Sequence, residues 1–407
     1  MKIALFHNVG SGGAKRAIFE WTKRLVANHQ VDVFTLNRAD HAFCDIRPLV
    51  HKHILFDFSP QKHFNSPLGR LNQLQRWRDL GELTRIGQNI AREINRGDYD
   101  VVFANTCVYT FIPALLQFVE IPSVYYLHEP FGKRFTRSIQ RPYSQNSPLR
   151  ETVNRFDPLI HLYNQRLDAI QNKSVRRTNR LLANSQFTQA EMQSSFGVTS
   201  PVSHLGVSTD SFQPMEKVAK ENQVLSVGEL SPRKGFDLIV TSIGQIPERE
   251  RPQLRIVSNS VIPVERTFIE NLAEQQGVDL QLLVGLDVNE LRLEYNKARL
   301  CAYAPVMEPF GLVPLEAMAC GTPVVGVREG GVPESVVHEQ TGLLVERNPS
   351  QFAQAIQSLM SRPNIAAEYG RNGREYVLSN WTWDQSVSCL EKNLIQVSSK
   401  NRNHRGT

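Results

Sequence analysis

Two glutamates eight positions apart, Glu308 and Glu316, stand in the segment EPFGLVPLEAMACGTPVV. A strand ends near Ala304, and a loop carries Glu308. Gly311 then lets the backbone pass close to a ligand. A helix is expected from about Val313 to Cys320, with Pro314 near its first turn, where a missing N–H costs nothing. The free amides of Gly311, Leu312 and Val313 can point at a phosphate, helped by the helix dipole. Glu316, in the first turn, is too close to such a phosphate to be its ligand. A carboxylate there can instead accept two hydrogen bonds from a ribose diol.

Three further segments suit the same ligand. VGELSPRKGF, Val227 to Phe236, follows a strand and precedes a helix. Gly228 and Gly235 permit close approach, and Arg233 and Lys234 place two cations where a diphosphate could lie. A departing nucleoside diphosphate needs them, because negative charge builds on its leaving oxygen. GSGGA follows the first strand, and Gly12 and Gly13 let amides approach a phosphate or sugar. It fails the dinucleotide fingerprint, because Lys15 stands where the third glycine belongs, and it fails the P-loop pattern. A nicotinamide-dependent dehydrogenase is thereby disfavoured. In YYLHEP, His128 ends a buried strand and should face a cleft, while Glu129 either orients it or faces solvent. Asp98-Tyr99-Asp100 mimics an Asp-x-Asp metal motif but lies at the start of a strand, on the wrong edge. No cysteine spacing suits structural zinc, and no metal is expected.

The elements that must position these residues follow a βαβα rhythm, which implies α/β architecture with parallel sheets covered on both faces. Strands are expected at Ile3–Asn8, Val31–Leu36, Tyr99–Asn105, Ser123–Leu127 and Leu181–Asn184. The second half continues with Gln223–Val227, Gln253–Val257, Gln281–Val284, Leu300–Tyr303 and Pro323–Val327. Helices are expected at Ala14–His29, Gly235–Gln245, Glu290–Ala298 and Trp383–Val397. Tyr109–Val119 reads as a buried helix, Pro60–Gly69 as a loop, and Gly132–Pro158 as a long mobile connection. Asn401–Thr407 reads as a disordered tail. Ligands bind beyond the carboxyl ends of such strands, so two facing sheets would make one cleft. The expected division is 1–205 for an acceptor-side domain, 206–385 for a donor-binding domain, and 386–407 for a helix packing back on the first domain plus the tail. Gly206 and Val207 mark the hinge region.

With 407 residues, two domains are the natural expectation. Apolar residues make up 41% and charged residues 21%, a globular profile. Five scattered cysteines suit a reduced, cytoplasmic setting. The opening MKIALFHNVG is too short an apolar run for a signal peptide, and no segment has the ~18 apolar residues of a membrane span. Residues 1–200 carry 26 Lys+Arg against 16 Asp+Glu, whereas residues 201–407 carry 20 against 24. A basic first half suits a phosphorylated acceptor, a lipid diphosphate or an anionic membrane surface; a solvated basic face is the plainer alternative.

The spacing of Glu308 and Glu316, with the glycines and prolines around them, resembles the E-x7-E signature of glycosyltransferase family 4, the large retaining family with the GT-B fold. The resemblance covers nearly the whole chain and is sharpest from 224 to 346, including GGVP (Gly330–Pro333) and Gly342–Val345. It implies two Rossmann-like domains facing across a cleft. It implies that Glu316 holds the donor ribose, that Glu308 serves the transferred sugar, and that Phe310, Gly311 and Leu312 line sugar and diphosphate. His128 would contact the donor sugar or the reacting centre. The family usually carries arginine where Glu229 stands, so Arg233 is expected to supply the missing cation, paired with Glu229. The implied reaction moves a sugar from a UDP-, GDP- or ADP-sugar to a glycan, lipid-linked or small-molecule acceptor, with no cofactor. No nucleic-acid partner is expected; peripheral contact with the inner membrane face is. The alternatives are a sugar-nucleotide 2-epimerase and a non-catalytic nucleotide-sugar-binding protein.

Overall fold

The computed structural model describes residues 1–65, 68–129, 139–143 and 156–405. Its strands are β1 (Lys2–Asn8), β2 (Gln30–Leu36), β3 (Lys52–Phe56), β4 (Val101–Cys107), β5 (Ser123–Leu127) and β6 (Arg180–Ala183), then β7 (Gln223–Val227), β8 (Gln253–Ser258), β9 (Leu280–Val284), β10 (Leu300–Tyr303), β11 (Val324–Val327) and β12 (Gly342–Val345). They form two six-stranded sheets, ordered β3-β2-β1-β4-β5-β6 and β12-β11-β10-β7-β8-β9. All pairings within the sheets are parallel. The α/β expectation therefore holds. The strands read as apolar runs because helices cover both faces: Ile3, Ala4 and Leu5 are fully buried, as are Val101 to Ala104. In each sheet the strand order reverses beside its first strand, between β1 and β4 and between β7 and β10. That crevice is where ligands enter such sheets.

The helices are α1 (Gly13–Leu25), α2 (Asn72–Arg96), α3 (Pro158–Arg177), α4 (Gln186–Phe196), α5 (Phe236–Gly244), α6 (Pro263–Gln275), α7 (Val288–Lys297), α8 (Leu312–Ala319), α9 (Val332–Ser335), α10 (Pro349–Ser361), α11 (Pro363–Asn380) and α12 (Trp383–Arg405). α12 runs along the first domain: Trp21 Nε1 donates to Ser386 Oγ at 2.9 Å, and Arg24 Nε to Asp384 at 2.6 Å. The chain crosses between domains twice, side by side. Val207 N donates to Trp381 O at 2.8 Å. A Cβ on Gly206 would lie 2.5 Å from Trp383 N, so only glycine fits where the two crossings touch.

Several expectations need correction. Tyr109–Val119 is buried but not an α-helix: Pro113 is extended, and only a 3-10 turn, Ala114–Gln117, follows. Gly87 of α2 presses on it, since a Cβ there would come within 2.8 Å of Leu115 N. The tail is helical further than expected, because α12 continues to Arg405. Most of Gly132–Pro158, with Ser66 and Pro67 of the Pro60–Gly69 loop, lies outside the described residues. Asp98 and Asp100 are structural, as read: Asp98 pairs with Lys2, and Asp100 accepts from Lys2 N at 2.8 Å, at the amino end of β1.

Candidate active site

The loop after β10 and the start of α8 are built by close packing. Gly311 is the N-cap at φ 86°, with no side-chain cap. The leading amides of α8 are therefore open to a ligand. The helix begins at Leu312, one residue earlier than expected, so Glu316 lies just past its first turn. A Cβ on Gly311 would meet Tyr303 Oη at 2.9 Å. Gly330 and Gly331 brace the same loop from behind: Gly331 N donates to Glu308 O at 2.8 Å, and a Cβ on Gly330 would fall 2.3 Å from that oxygen. Across the loop, Val306 N donates to Arg233 O at 2.8 Å. Gly235, at φ 68°, abuts Ala304 O so closely that a Cβ would lie 1.9 Å away.

These loops bring Lys234 to Glu308, with Nζ donating to Oε2 at 2.8 Å. Gly228 backs the aliphatic stem of Lys234, where a Cβ would crowd it at 3.3 Å. Arg233 is exposed, and its guanidinium has no partner among the described residues. The expected Arg233–Glu229 pair does not form. Leu230 N bonds Ser260 O, which turns Glu229 towards the end of β8, where Ser260 Oγ donates to it at 3.4 Å. The Phe310 side chain is also not in the cleft: it is buried against His204 and Trp381, with centroids 5.9 and 5.4 Å away, so that position offers backbone only.

Glu316 is 4% exposed and doubly held. Tyr295 Oη donates to Oε2 at 2.9 Å, and Arg16 of α1, from the opposite domain, donates to Oε1. The Glu316 charge raises the Arg16 pKa further. Gly13 approaches the same place, its would-be Cβ lying 3.6 Å from Leu312 Cδ1. The glycine turn of the first domain thus faces the α8 amino terminus of the second. Gly12 is exposed, and no atom of the described residues lies within 4 Å of where its Cβ would be. Leu312 and Val313 are half-buried at the same mouth.

His128 is buried at the end of β5, its Nε2 3.0 Å from Asn105 Oδ1. With that oxygen as acceptor, Nε2 carries the proton and Nδ1 keeps a lone pair. Glu129 is exposed and does not orient it. No hydrogen bond among the described residues joins His128 to Glu308 or Glu316, but a relay of loops does. Asn184 Nδ2 donates to His128 O at 2.7 Å, and Ser185 Oγ donates to Pro309 O at 2.5 Å. Unpartnered buried atoms gather nearby at the carboxyl ends of β1 and β4: His7 Nδ1, Asn8 Oδ1, Asn105 Nδ2 and Thr106 Oγ1. Such atoms are rare in a finished core and suit a polar ligand. Lys15, fully enclosed, lies 3.4 Å from His7 Nε2. Among the described residues no group of three or more His, Cys, Asp or Glu could hold a metal ion.

Burial holds His128 neutral, its pKa lowered to about 3, and burial beside Lys15 lowers His7 well below the ordinary value. Between those values and about 6.5 the unfolded chain binds protons that the fold refuses. Stability from these groups is complete above about pH 6.5 and falls with pH, by up to about 1.4 kcal/mol per pH unit per histidine. His128→Asn should therefore flatten the drop in denaturation midpoint between pH 7 and pH 5. An unchanged drop would mean His128 is not held neutral.

Sequence reading missed Arg16, Tyr295 and Asn105. Arg16 alone carried a local signal, as a cation one turn into the helix behind a glycine pair. The others meet their partners only through the fold.

Two facing parallel-sheet domains, with a glycine turn on one side and a phosphate-ready helix start on the other, define the GT-B architecture. The family model for glycosyl transferases group 1 matches residues 207–376, and that for glycosyltransferase family 4 matches residues 11–211. The chain belongs to glycosyltransferase family 4. It is 31% identical over 229 residues to the GDP-mannose-dependent alpha-(1-6)-phosphatidylinositol monomannoside mannosyltransferase of Mycobacterium tuberculosis, covering 51% of this chain and 59% of that one. It is 26% identical over 317 residues to the MMP alpha-(1->4)-mannosyltransferase of Mycolicibacterium hassiacum, covering 74% and 73%. The chain thus spans somewhat over half the length of several curated relatives it matches. In fold it resembles sucrose-phosphate synthase from Thermosynechococcus elongatus, with TM-score 0.76, 22% identity and coverage of 98% and 99%. It also resembles Anabaena HepE, solved with UDP and glucose, with TM-score 0.70, 21% identity and coverage of 97% and 100%.

Proposed function

We propose that the chain is a retaining glycosyltransferase. It would move a hexosyl group from a nucleoside diphosphate sugar to an acceptor hydroxyl in polysaccharide or glycolipid synthesis. One observation carries the reading: Lys234 and Glu308, 74 positions apart, meet at 2.8 Å beside the open amino terminus that leads to Glu316. That contact supports reading the two loops as one site that would take ribose, diphosphate and sugar.

In this reading Glu316 accepts from the ribose hydroxyls. The amides of Leu312 and Val313, with Gly12, Gly13 and Gly228 allowing close approach, receive the diphosphate. Arg233 and Lys234 neutralise it as the bond from the anomeric carbon to its oxygen breaks. Glu308 accepts from sugar hydroxyls and supports positive charge at the anomeric carbon. His128 Nδ1 accepts from a sugar hydroxyl. The acceptor oxygen bonds the anomeric carbon on the face the diphosphate leaves, and its proton passes to the departing phosphate oxygen. The protein supplies position and field rather than a nucleophile. Turnover without added metal is expected.

The GDP-mannose dependence of the Mycobacterium tuberculosis relative makes that donor the first to try. Incubation with a panel of UDP-, GDP- and ADP-sugars, with mass detection of released nucleoside diphosphate, tests the activity. Release from one donor, with the product keeping the donor's anomeric configuration, is expected. Release from none, or conversion of the donor to its 2-epimer, would contradict it.

The basic first domain supports an acceptor bearing negative charge, and with it peripheral docking on the cytoplasmic face of a membrane. No described helix is long and apolar enough to cross one. Phe64, Leu71, Phe156 and Leu162 are 41%, 37%, 74% and 43% exposed near the starts of α2 and α3. Lys62, Arg70 and Arg76 are exposed among them. Flotation with phosphatidylglycerol vesicles, weakened by Phe156→Ser, is the expected behaviour; no flotation at low salt would remove this part.

A further inference from the structure

The pairing of Arg16 with Glu316 joins residues 300 positions apart, on opposite walls of the cleft. Glu316 is almost wholly buried, and a buried carboxylate needs partners. Tyr295 Oη supplies one to Oε2, and Arg16 supplies the other to Oε1. The Arg16 side chain is 31% exposed, so its guanidinium can move into water, whereas Glu316 cannot. A ribose diol brings two hydroxyl donors. Oε2 keeps one lone pair beside Tyr295, but Oε1 lies under the guanidinium.

We propose that Arg16 is the resident occupant of the ribose-binding carboxylate, and that nucleotide binding is an exchange in which the ribose hydroxyls displace it. This rests on the reading of Glu316 as the ribose ligand. Two consequences follow from the chemistry. The charged pair keeps Glu316 satisfied while the cleft is empty, so the two domains are held together without ligand. The same pair lowers nucleotide affinity, because a charge-assisted bond must be given up before neutral hydroxyls can replace it. Arg16 thus sets how tightly the site holds donor and product through the sugar of the nucleotide, independently of the groups that grip the diphosphate. Its counterpart in release is direct: as the nucleoside diphosphate leaves, Arg16 is the nearest group able to recapture Glu316.

The test is isothermal titration of wild type, Arg16→Gln and Arg16→Lys with the 5′-diphosphates of uridine, guanosine and adenosine. The 2′,3′-dideoxy form of whichever binds is titrated alongside. Arg16→Gln should bind the diol-bearing nucleotide at least about fivefold more tightly than wild type, with Arg16→Lys between them. The dideoxy nucleotide should show no such gain, because it has no hydroxyls to place on Glu316. Should Arg16→Gln fail to fold, the wild-type to Arg16→Lys comparison carries the same expectation at smaller size. Unchanged or weaker binding of the diol form by the variants overturns the exchange, as does an equal gain for the dideoxy form. Absence of binding to any of the three proteins would instead remove the donor-site reading, and the exchange with it.

Discussion

Replacing Glu316 by alanine should lower kcat/KM for the donor by about 10²- to 10⁴-fold. The reasoning starts from its environment. The carboxylate is enclosed, it sits just past the first turn of a helix whose leading amides are open, and its two oxygens are held by the Tyr295 phenol and by Arg16 across the cleft. Hydrogen bonds to a charged group are worth about 1.5–3 kcal/mol each, so losing the two a ribose diol would make gives that range. The loss should appear in donor KM with kcat little changed, because the ribose is held equally before and during reaction. Glu316→Gln keeps shape and one acceptor oxygen, and should lose only about tenfold. Donor kinetics with a fixed acceptor measure both. A Glu316→Ala enzyme within a factor of a few of wild type would remove the ribose role.

Lys234→Ala should act differently. Lys234 lies beside Glu308, and next to it is Arg233, exposed and without a partner among the described residues. If these two cations stabilise the departing diphosphate, their interaction strengthens as the bond breaks. Removing one such group should then cost about 10²- to 10³-fold in kcat, with a smaller change in KM. Lys234→Arg keeps the charge but not its point geometry, and should recover part of the rate. In Lys234→Ala, donor hydrolysis in the absence of acceptor should fall in parallel with transfer, because the diphosphate departs in both reactions. If KM rises while kcat stays constant, Lys234 contributes ground-state binding alone.

The parts of the molecule that sequence reading reached share one property: their physical reason is local. The β10–α8 corner was legible because glycine, proline and apolar spacing specify a strand end, a tight passage and a helix start within a few residues. The alternation of apolar runs gave both sheets. Less was legible where the partner is remote. α2 buries Leu80, Leu83, Ile86, Ile90 and Ile94, a helical spacing diluted in the sequence by the charged and polar residues between them. Tyr109–Val119 is apolar enough for a buried helix, yet Pro113 and the crowding of Gly87 leave room for a single 3-10 turn. Glu229 and Arg233, of opposite charge and four apart, look like a pair. The hydrogen bond from Leu230 N to Ser260 O, between the loops that follow β7 and β8, holds Glu229 towards Ser260 and away from Arg233. Arg141 shows the limit most clearly. It is buried in the second domain between Glu265 and Asp237, at 3.0 and 2.8 Å, and nothing near it in the chain announces either carboxylate.

The central claim is that one nucleoside diphosphate sugar spans the groups on both loops. A crystal structure with an unreactive donor analogue, such as a 2-deoxy-2-fluoro sugar nucleotide, tests it most directly. The ribose hydroxyls should lie about 3 Å from Glu316, the diphosphate within the same reach of Lys234 Nζ and the Leu312 and Val313 amides, and the sugar beside Glu308. A donor bound elsewhere, or bound with Glu316 still closed by Arg16 and Lys234 turned away, would contradict the account.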